Sequence, residues 1–222
     1  MDKIYSASHF SFIDGIILRK RKEMLKIIKK TLEKYNVLSC IDVGTSSYEE
    51  NESSNYIIKN LSHIPNIISI SNQEIKNPLF KEKILKSITQ NFSNDEFFKL
   101  KSDIVISNAT IEHVGSFENQ IKMVNNIINL SKKKFIIITP NRYHPIDFHT
   151  KIPFLHWLPK VIHRKILSLV GLSFYSREEN LNLLSKADLI KIMNDLNFKN
   201  YKIFNIKLLG FVSNFILIGK IN

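Results

Sequence analysis

The chain is poor in cysteine and has neither a long apolar run nor a recognisable leader. Its single cysteine, Cys40, excludes a disulfide within the chain and a zinc site built from thiolates, and it fits a reducing compartment. The N-terminus lacks the basic region, apolar block and small-residue cleavage site of a secretory signal. No stretch of about 18 uncharged apolar residues is present to cross a bilayer. These absences predict a cytoplasmic protein that is soluble or peripheral to a membrane.

Positive charge is in excess, but it is not organised as a nucleic-acid surface. The formal net charge is +12, from 32 Lys and Arg against 20 Asp and Glu. The basic runs at residues 19–22 and 132–134 are not interleaved with the repeated aromatic residues that stack on bases. We interpret these runs as solvated helix faces and do not expect a nucleic acid as partner.

Apolar strands and amphipathic helices alternate along most of the chain. Helical spacing of apolar residues predicts an opening helix over residues 14–35, and further helices are predicted over 53–61 and 116–130. Apolar runs predict strands over residues 38–43, 67–70, 84–89, 103–107 and 135–139. This alternation is typical of a doubly wound α/β fold with a parallel sheet.

The C-terminal part has a different pattern. Residues 140–159 hold four of the six prolines, which predicts an inserted cap over residues 140–184 instead of further sheet. A helix over 186–196, capped by Ser185, is expected next. The last two strands, at 201–208 and 213–220, are separated by a short turn and must pair antiparallel. The predicted fold is one domain, residues 1–222, with a mostly parallel seven-stranded sheet that closes with an antiparallel hairpin.

Two strand ends carry polar residues where open sheets bind ligands. Asp42 and Gly44 follow the first strand, and Asn108 and Ala109 follow the fourth. The carboxyl ends of parallel strands form the ligand-binding edge of such a sheet, and glycine allows the chain to turn sharply there. The two strand ends together predict a nucleotide-like cofactor.

Four segments resemble class I S-adenosylmethionine-dependent methyltransferases, of the small kind often encoded among bacterial surface-polysaccharide genes. They are Asp42-Val-Gly-Thr45, residues 111–116 (IEHVGS), residues 139–142 (TPNR) and residues 148–159 (FHTKIPFLHWLP). The resemblance implies a Rossmann-like methyltransferase fold and S-adenosylmethionine as cofactor. It also implies methyl transfer to an oxygen or nitrogen of a small acceptor, with a sugar or glycan precursor as the expected acceptor.

By the same resemblance, the cofactor lies along the strand ends, from the methionine half at the first strand to adenine at the third. The residues assigned to it are Asp42, Gly44, Thr45, Ser46, Asn72, Thr89, Asn108 and Ala109. The chain departs from the family in two places. Only the first glycine of the usual GxGxG is present, and Asn72 stands where an acidic residue generally binds the ribose, with Glu74 as the alternative if the register shifts.

His113 is the predicted catalytic base, because an ordinary histidine pKa near 6.5 suits proton abstraction from a hydroxyl acceptor. The alternative is a helix-start histidine bonded to a neighbouring carbonyl or to Glu112. The predicted acceptor-binding residues are Arg142, His144, His149 and Trp157, which offer a fork for anions and a ring that stacks on a sugar. The alternative is that these residues belong to a structural loop anchored by Trp157 and the prolines. No metal is predicted, because the spacing of His144, Asp147 and His149 matches no standard site.

Three other functions stay open at this point. The basic amphipathic pattern of residues 159–171 is compatible with docking on an anionic membrane, which would suit a quinone or other lipid-borne acceptor. The missing glycines and the missing acid are compatible with a non-catalytic binding module that kept the fold. A nucleic-acid methyltransferase is disfavoured, because the Asn/Asp-Pro-Pro-Tyr/Phe tetrapeptide of many base-modifying enzymes is absent.

Overall fold

The computed structural model describes residues 11–48 and 52–221, and any expectation for the other residues lies outside this part. The strands are β1 (Ser39–Val43), β2 (Asn66–Ser71), β3 (Glu82–Leu85), β4 (Ser102–Asn108), β5 (Ser131–Pro140), β6 (Tyr201–Leu208) and β7 (Phe211–Lys220). The helices are α1 (Ser11–Leu32), α2 (Tyr56–Lys59), α3 (Asn94–Leu100), α4 (Phe117–Leu130), α5 (Lys160–Leu169), α6 (Ser173–Ser176) and α7 (Lys186–Asp195). Short 3-10 helices cover Ile111–His113 and Leu155–Trp157.

The seven strands form one sheet in the order β3-β2-β1-β4-β5-β7-β6. The pairs from β3 to β5 are all parallel, whereas β7 runs antiparallel to both β5 and β6. The predicted fold class, with its C-terminal antiparallel hairpin, is therefore confirmed. Strand order reverses between β1 and β4, and this reversal opens a crevice at the carboxyl ends of the strands.

Both faces of the sheet are covered, which explains why the central strands are predominantly apolar. Successive residues of β1 point to opposite faces, so that Ile41 packs in one core cluster and Cys40 in the other. Helices α4 and α7 cover the first face, with Met123 and Ile192 fully buried there. Helices α1 and α2 cover the second face, where Ile28 is fully buried.

Some boundaries differ from the prediction for identifiable reasons. The third strand was expected over residues 84–89, but β3 ends at Leu85. It is a mostly exposed edge strand, and Ser87 and Thr89 bond to each other in the turn that follows. β5 begins at Ser131, four residues earlier than expected. Its lysines lie at the solvated end of the strand, where Lys133 Nζ is 3.0 Å from Asp103 Oδ1.

Gly219 provides a test of the packing between β5 and β7. It lies opposite the fully buried Phe135, and a Cβ at this position would be 2.0 Å from the Phe135 Cε1 atom. We expect Gly219→Ala to lower the free energy of unfolding by about 1–3 kcal/mol, because the ring has to move within a packed core. Urea denaturation measures this change.

Gly15→Ala is the matched control. Gly15 lies in α1 with nothing within 4 Å of the added Cβ, so alanine should raise the free energy of unfolding by about 0.5–1 kcal/mol through helix propensity. Equal effects of the two substitutions would show that Phe135 does not need the space beside Gly219.

Candidate functional site

A cavity of about 800 Å³ lies at the carboxyl ends of β1, β2 and β4, in the crevice created by the reversal of strand order. The predicted site residues that line it are Gly44, Thr45, Ser46, Asn72, Thr89, Asn108, Ala109, His113 and His149. Helix α1 adds Lys20 and Arg21 to the wall, which the sequence pattern did not reveal because α1 reads as a packing helix. The structure thus brings most of the predicted cofactor residues to one place.

Gly44 allows two chain segments to meet at the floor of this cavity. Its φ of +81° is in the left-handed region, and a Cβ there would lie 2.1 Å from Thr110 Oγ1. The Thr110 hydroxyl in turn donates to the carbonyl of Val43 over 3.2 Å. The glycine was expected to make room for the cofactor, but the space beside its Cα is filled by Thr110.

The loop of residues 44–48, called the glycine loop below, is braced by polar side chains. Asn55 exchanges two hydrogen bonds with the backbone of Ser46, at 3.1 and 2.9 Å. Gln73 Oε1 accepts from the backbone and hydroxyl of Ser47, at 3.1 and 3.0 Å. Gln73 therefore ties the loop to the end of β2, next to Asn72 on the cavity wall, whereas Glu74 does not line the cavity.

Asp42 does not line the cavity and hydrogen-bonds the glycine loop instead. Its Oδ2 accepts a 2.6 Å hydrogen bond from the Thr45 hydroxyl, and the Thr45 carbonyl accepts from the Ser71 hydroxyl at 2.8 Å. Burial raises the pKa of Asp42 to about 6, although the Thr45 hydrogen bond opposes the shift. Asp42 thus hydrogen-bonds within the glycine loop, and its contact with the cofactor stays a prediction.

The turn after β4 holds a strained alanine. Ala109 has a φ of +54°, which is uncommon for a residue with a side chain, and its N–H donates to the Ile138 carbonyl at 2.9 Å. Such strain persists where the surroundings determine the backbone, often at functional sites. The turn directs the 3-10 helix that carries Glu112 and His113 over the cavity.

His113 lies on the cavity wall in a fixed tautomer. Its Nδ1 is 2.6 Å from the Asn180 carbonyl, and because a carbonyl only accepts, Nδ1 carries the hydrogen. Burial and the nearby His149 lower the pKa of His113 to about 3, so the ring is neutral at pH 7. The predicted base therefore makes the carbonyl hydrogen bond of the alternative interpretation, and its pKa is far from the ordinary value on which the prediction relied.

His149 is held by Asp147. The ring Nδ1 donates to Asp147 Oδ1 at 3.0 Å, and Asp147 Oδ2 accepts from the Thr150 hydroxyl at 2.8 Å. Burial alone would lower the pKa of His149, but the hydrogen bond and charge of Asp147, together with Glu112, raise it. His113 and His149 meet edge to face, with ring centroids 5.0 Å apart.

Glu112 completes this group, and the sequence pattern did not single it out as a functional residue. The side chain is fully buried, its Oε2 accepts from the Thr139 hydroxyl at 3.0 Å, and burial raises its pKa. One ligand-capable atom of each of Glu112, His113 and His149 lies within 4.8 Å of the others. We call these three residues the Glu-His cluster.

Three predicted acceptor-binding residues lie outside the cavity lining. Arg142 donates to the carbonyls of His156 and Leu158, at 3.2 and 2.9 Å. The carbonyl of the buried His144 accepts from Trp157 Nε1 at 3.3 Å and is 2.6 Å from His156 Nε2. Arg142, His144 and Trp157 thus bond to the backbone of the segment after β5, as in the structural alternative, and His149 alone of the four reaches the cavity.

Comparisons with known proteins identify the fold. No protein-family model and no curated protein matches the sequence. The structure is similar to magnesium protoporphyrin IX methyltransferase from Synechocystis PCC 6803 with bound S-adenosylhomocysteine, with 15% identity, a TM-score of 0.60, and coverage of 99% of this chain and 91% of the other. It is also similar to 1,6-didemethyltoxoflavin-N1-methyltransferase from Burkholderia thailandensis (7% identity, TM-score 0.56, coverage 90% and 77%).

A third similar structure is the N-methyltransferase NodS from Bradyrhizobium japonicum WM9 (8% identity, TM-score 0.54, coverage 93% and 97%). At these identities the similarity establishes the Rossmann-like methyltransferase fold predicted from the sequence. Among the described residues, no helix is both long and apolar enough to span a bilayer.

Asp42 links the electrostatics of the site to the stability of the fold. Its pKa is about 6 in the folded protein, against 3.8 for an ordinary aspartate. The folded state therefore binds this proton more tightly than the unfolded state does. The stabilisation that Asp42 gives in its protonated form is fully present below about pH 4 and is lost as the pH rises to about 6. The difference between the two pKa values corresponds to about 3 kcal/mol.

We expect Asp42→Asn to equal the wild type in stability near pH 4 and to exceed it by up to about 3 kcal/mol above pH 6. The amide keeps an oxygen for the Thr45 hydroxyl and carries no buried charge. Urea denaturation across this pH range measures the difference, with the exposed Asp195→Asn as charge-matched control. A constant difference between Asp42→Asn and wild type at all pH values would contradict the expectation.

Proposed function

We propose that this protein transfers a methyl group from S-adenosylmethionine to an oxygen or nitrogen of a small acceptor, with a sugar or glycan precursor as the expected acceptor. The observation that carries the proposal is the 800 Å³ cavity at the switch point of a methyltransferase fold, lined by the predicted cofactor residues. Its volume falls in the range of about 300–1,000 Å³ typical of ligand sites. The similar structures with bound S-adenosylhomocysteine support the same cofactor.

Each strand end has a part in this proposal. The glycine loop borders the methionine half, and the cations of α1 attract its carboxylate. Asn72 bonds the ribose hydroxyls, Thr89 lies beside adenine, and Asn108 with the small Ala109 leaves space at the sulfur. These assignments follow the order of the strands β3, β2, β1 and β4 along the sheet, at whose carboxyl ends the residues line one cavity.

When bound, S-adenosylmethionine supplies an activated methyl group on a sulfonium sulfur. The protein's own part is to hold the acceptor in line with that methyl group and to provide for the loss of the acceptor's proton. The Glu-His cluster is the group of titratable side chains that borders the cavity next to the turn after β4. We therefore place the acceptor against this cluster. In this arrangement His113 acts together with Glu112 and His149 and not as a base on its own.

A lipid-borne acceptor is a second candidate, because the segment after β5 exposes apolar side chains beside basic ones. Val161 and Leu169 of α5 are 78% and 77% exposed, and Lys165 lies between them at helical spacing. Exposed apolar faces flanked by lysines are typical of helices that rest on anionic membranes. The same segment contributes His149 to the cavity, so a docked surface would lie close to the acceptor site.

The first experiment is calorimetric titration with S-adenosylhomocysteine. We expect wild-type binding in the micromolar range, tighter binding by about three- to tenfold in Asn72→Asp, and weaker binding by a similar factor in Asn72→Ala, because a carboxylate bonds a diol better than an amide does. Glu74→Gln is the neighbouring control and should leave the affinity unchanged. Absence of wild-type binding at about 1 mM ligand would favour the non-catalytic module.

Liposome cosedimentation tests the second candidate. The wild type should sediment with vesicles that contain anionic lipid, and the double variant Val161→Glu, Leu169→Glu should stay in the supernatant, because both substitutions place a carboxylate on the exposed face. Lys207→Glu, on the exposed face of β6, is the control for net charge. If the wild type stays in the supernatant with anionic vesicles, the lipid-borne acceptor is contradicted and a freely diffusing acceptor is supported.

A further inference from the structure

The Glu-His cluster gathers two imidazoles and one carboxylate at a wall of the cavity. Glu112 and His113 come from the 3-10 helix after β4, and His149 comes from the loop after β5. Their ligand-capable atoms lie within 4.8 Å of one another, so that small side-chain movements bring all three into contact with one ion. The sequence-based expectation of no metal considered His144, Asp147 and His149, of which only His149 belongs to this cluster, while Asp147 hydrogen-bonds its ring.

Both imidazoles are held in the tautomer that a metal ligand requires. Asp147 accepts from His149 Nδ1 at 3.0 Å, and the Asn180 carbonyl accepts from His113 Nδ1 at 2.6 Å. The hydrogen on Nδ1 puts the lone pair of each ring on Nε2. Metal-binding histidines nearly always donate their other N–H to a carboxylate or a backbone carbonyl, and one of each is present here.

Glu112 supplies an oxygen that lacks a partner among the described residues. The side chain is fully buried, and Thr139 bonds Oε2, but Oε1 makes no hydrogen bond to any described residue. A buried carboxylate oxygen without a partner is costly, because it has lost its water and gained nothing in return. A cation between Glu112 and the two rings removes that cost.

The formal charges also match a divalent ion. Asp147 and Glu112 carry one negative charge each when ionised, and each imidazole is neutral once its Nε2 binds an ion, as histidine metal ligands are. A site with two nitrogen donors and one carboxylate suits first-row transition ions, whereas Mg²⁺ and Ca²⁺ prefer oxygen donors throughout. Three protein ligands also leave coordination positions that an acceptor can occupy.

We propose that Glu112, His113 and His149 bind a divalent transition ion such as Mn²⁺, Fe²⁺ or Zn²⁺, whose remaining positions hold an oxygen of the acceptor. The part that concerns the acceptor rests on the proposed function. A coordinated hydroxyl loses its proton to water more easily, because the cation stabilises the oxyanion. The site thus selects acceptors that methylate on oxygen and present a hydroxyl to the cavity.

Titration of metal-free protein with Mn²⁺, followed by calorimetry and by electron paramagnetic resonance, tests the proposal. We expect one bound ion per chain with nitrogen coupling from two imidazoles in the electron spin echo spectrum. Glu112→Gln and His149→Gln should each weaken binding by about tenfold or more, and His149→Gln should remove one nitrogen coupling. Asp147→Asn tests the positioning of His149 and should weaken binding by about tenfold.

His63→Gln, at an exposed position outside the cavity, is the control and should bind as the wild type does. Glu112→Gln keeps an oxygen for Thr139, and circular dichroism checks that each variant is folded. The proposal is overturned if wild type binds neither Mn²⁺ nor Zn²⁺ at about 1 mM, or if Glu112→Gln and His149→Gln bind as tightly as wild type. Binding of S-adenosylhomocysteine by metal-free protein is measured separately, so loss of the metal site and loss of the cofactor site are distinguishable.

Discussion

The contact between Gly44 and Thr110 is the constraint on which the site depends. With a Cβ position 2.1 Å from Thr110 Oγ1, no residue with a side chain fits at Gly44 without moving the neighbouring turn. Ser107 and Thr110 both donate to the Val43 carbonyl, which joins the ends of β1 and β4. The glycine loop and the turn that carries Glu112 are therefore positioned together, although they are more than sixty residues apart in the chain.

A buried polar network extends this rigid junction to the segment after β5. The Glu112 carbonyl accepts from the Asn182 N–H at 2.7 Å, and the Asn182 side chain donates to the Gly115 carbonyl at 2.7 Å. The fully buried Gln120 donates to the carbonyls of both Ile111 and Asn182. Hydrogen bonds of this kind are costly to break inside a core. They hold the residues assigned to the acceptor in a fixed relation to those assigned to the cofactor.

The sequence pattern predicted local features well, whereas it could not predict side-chain contacts between distant segments, for physical reasons. Apolar runs and the Ser185 cap are local, and all three strands at the centre of the parallel sheet were found from them. Glu112 bonds Thr139 and His113 bonds the Asn180 carbonyl, and no spacing rule connects these partners in the sequence. Arg142 and Trp157 bind backbone carbonyls, which every residue carries, so their side chains alone did not distinguish a ligand site from a structural loop.

The sheet order has a consequence for synthesis of the chain on the ribosome. β7 inserts between β5 and β6, so one edge of β5 has no hydrogen-bonding partner until residues 211–220 have emerged. That edge belongs to a strand whose Ile136 and Ile138 are buried in the finished fold. Open apolar edges invite pairing with other chains. This edge of the nascent protein is therefore open to aggregation in the interval between the synthesis of β5 and that of β7, when a chaperone that covers strand edges would protect it.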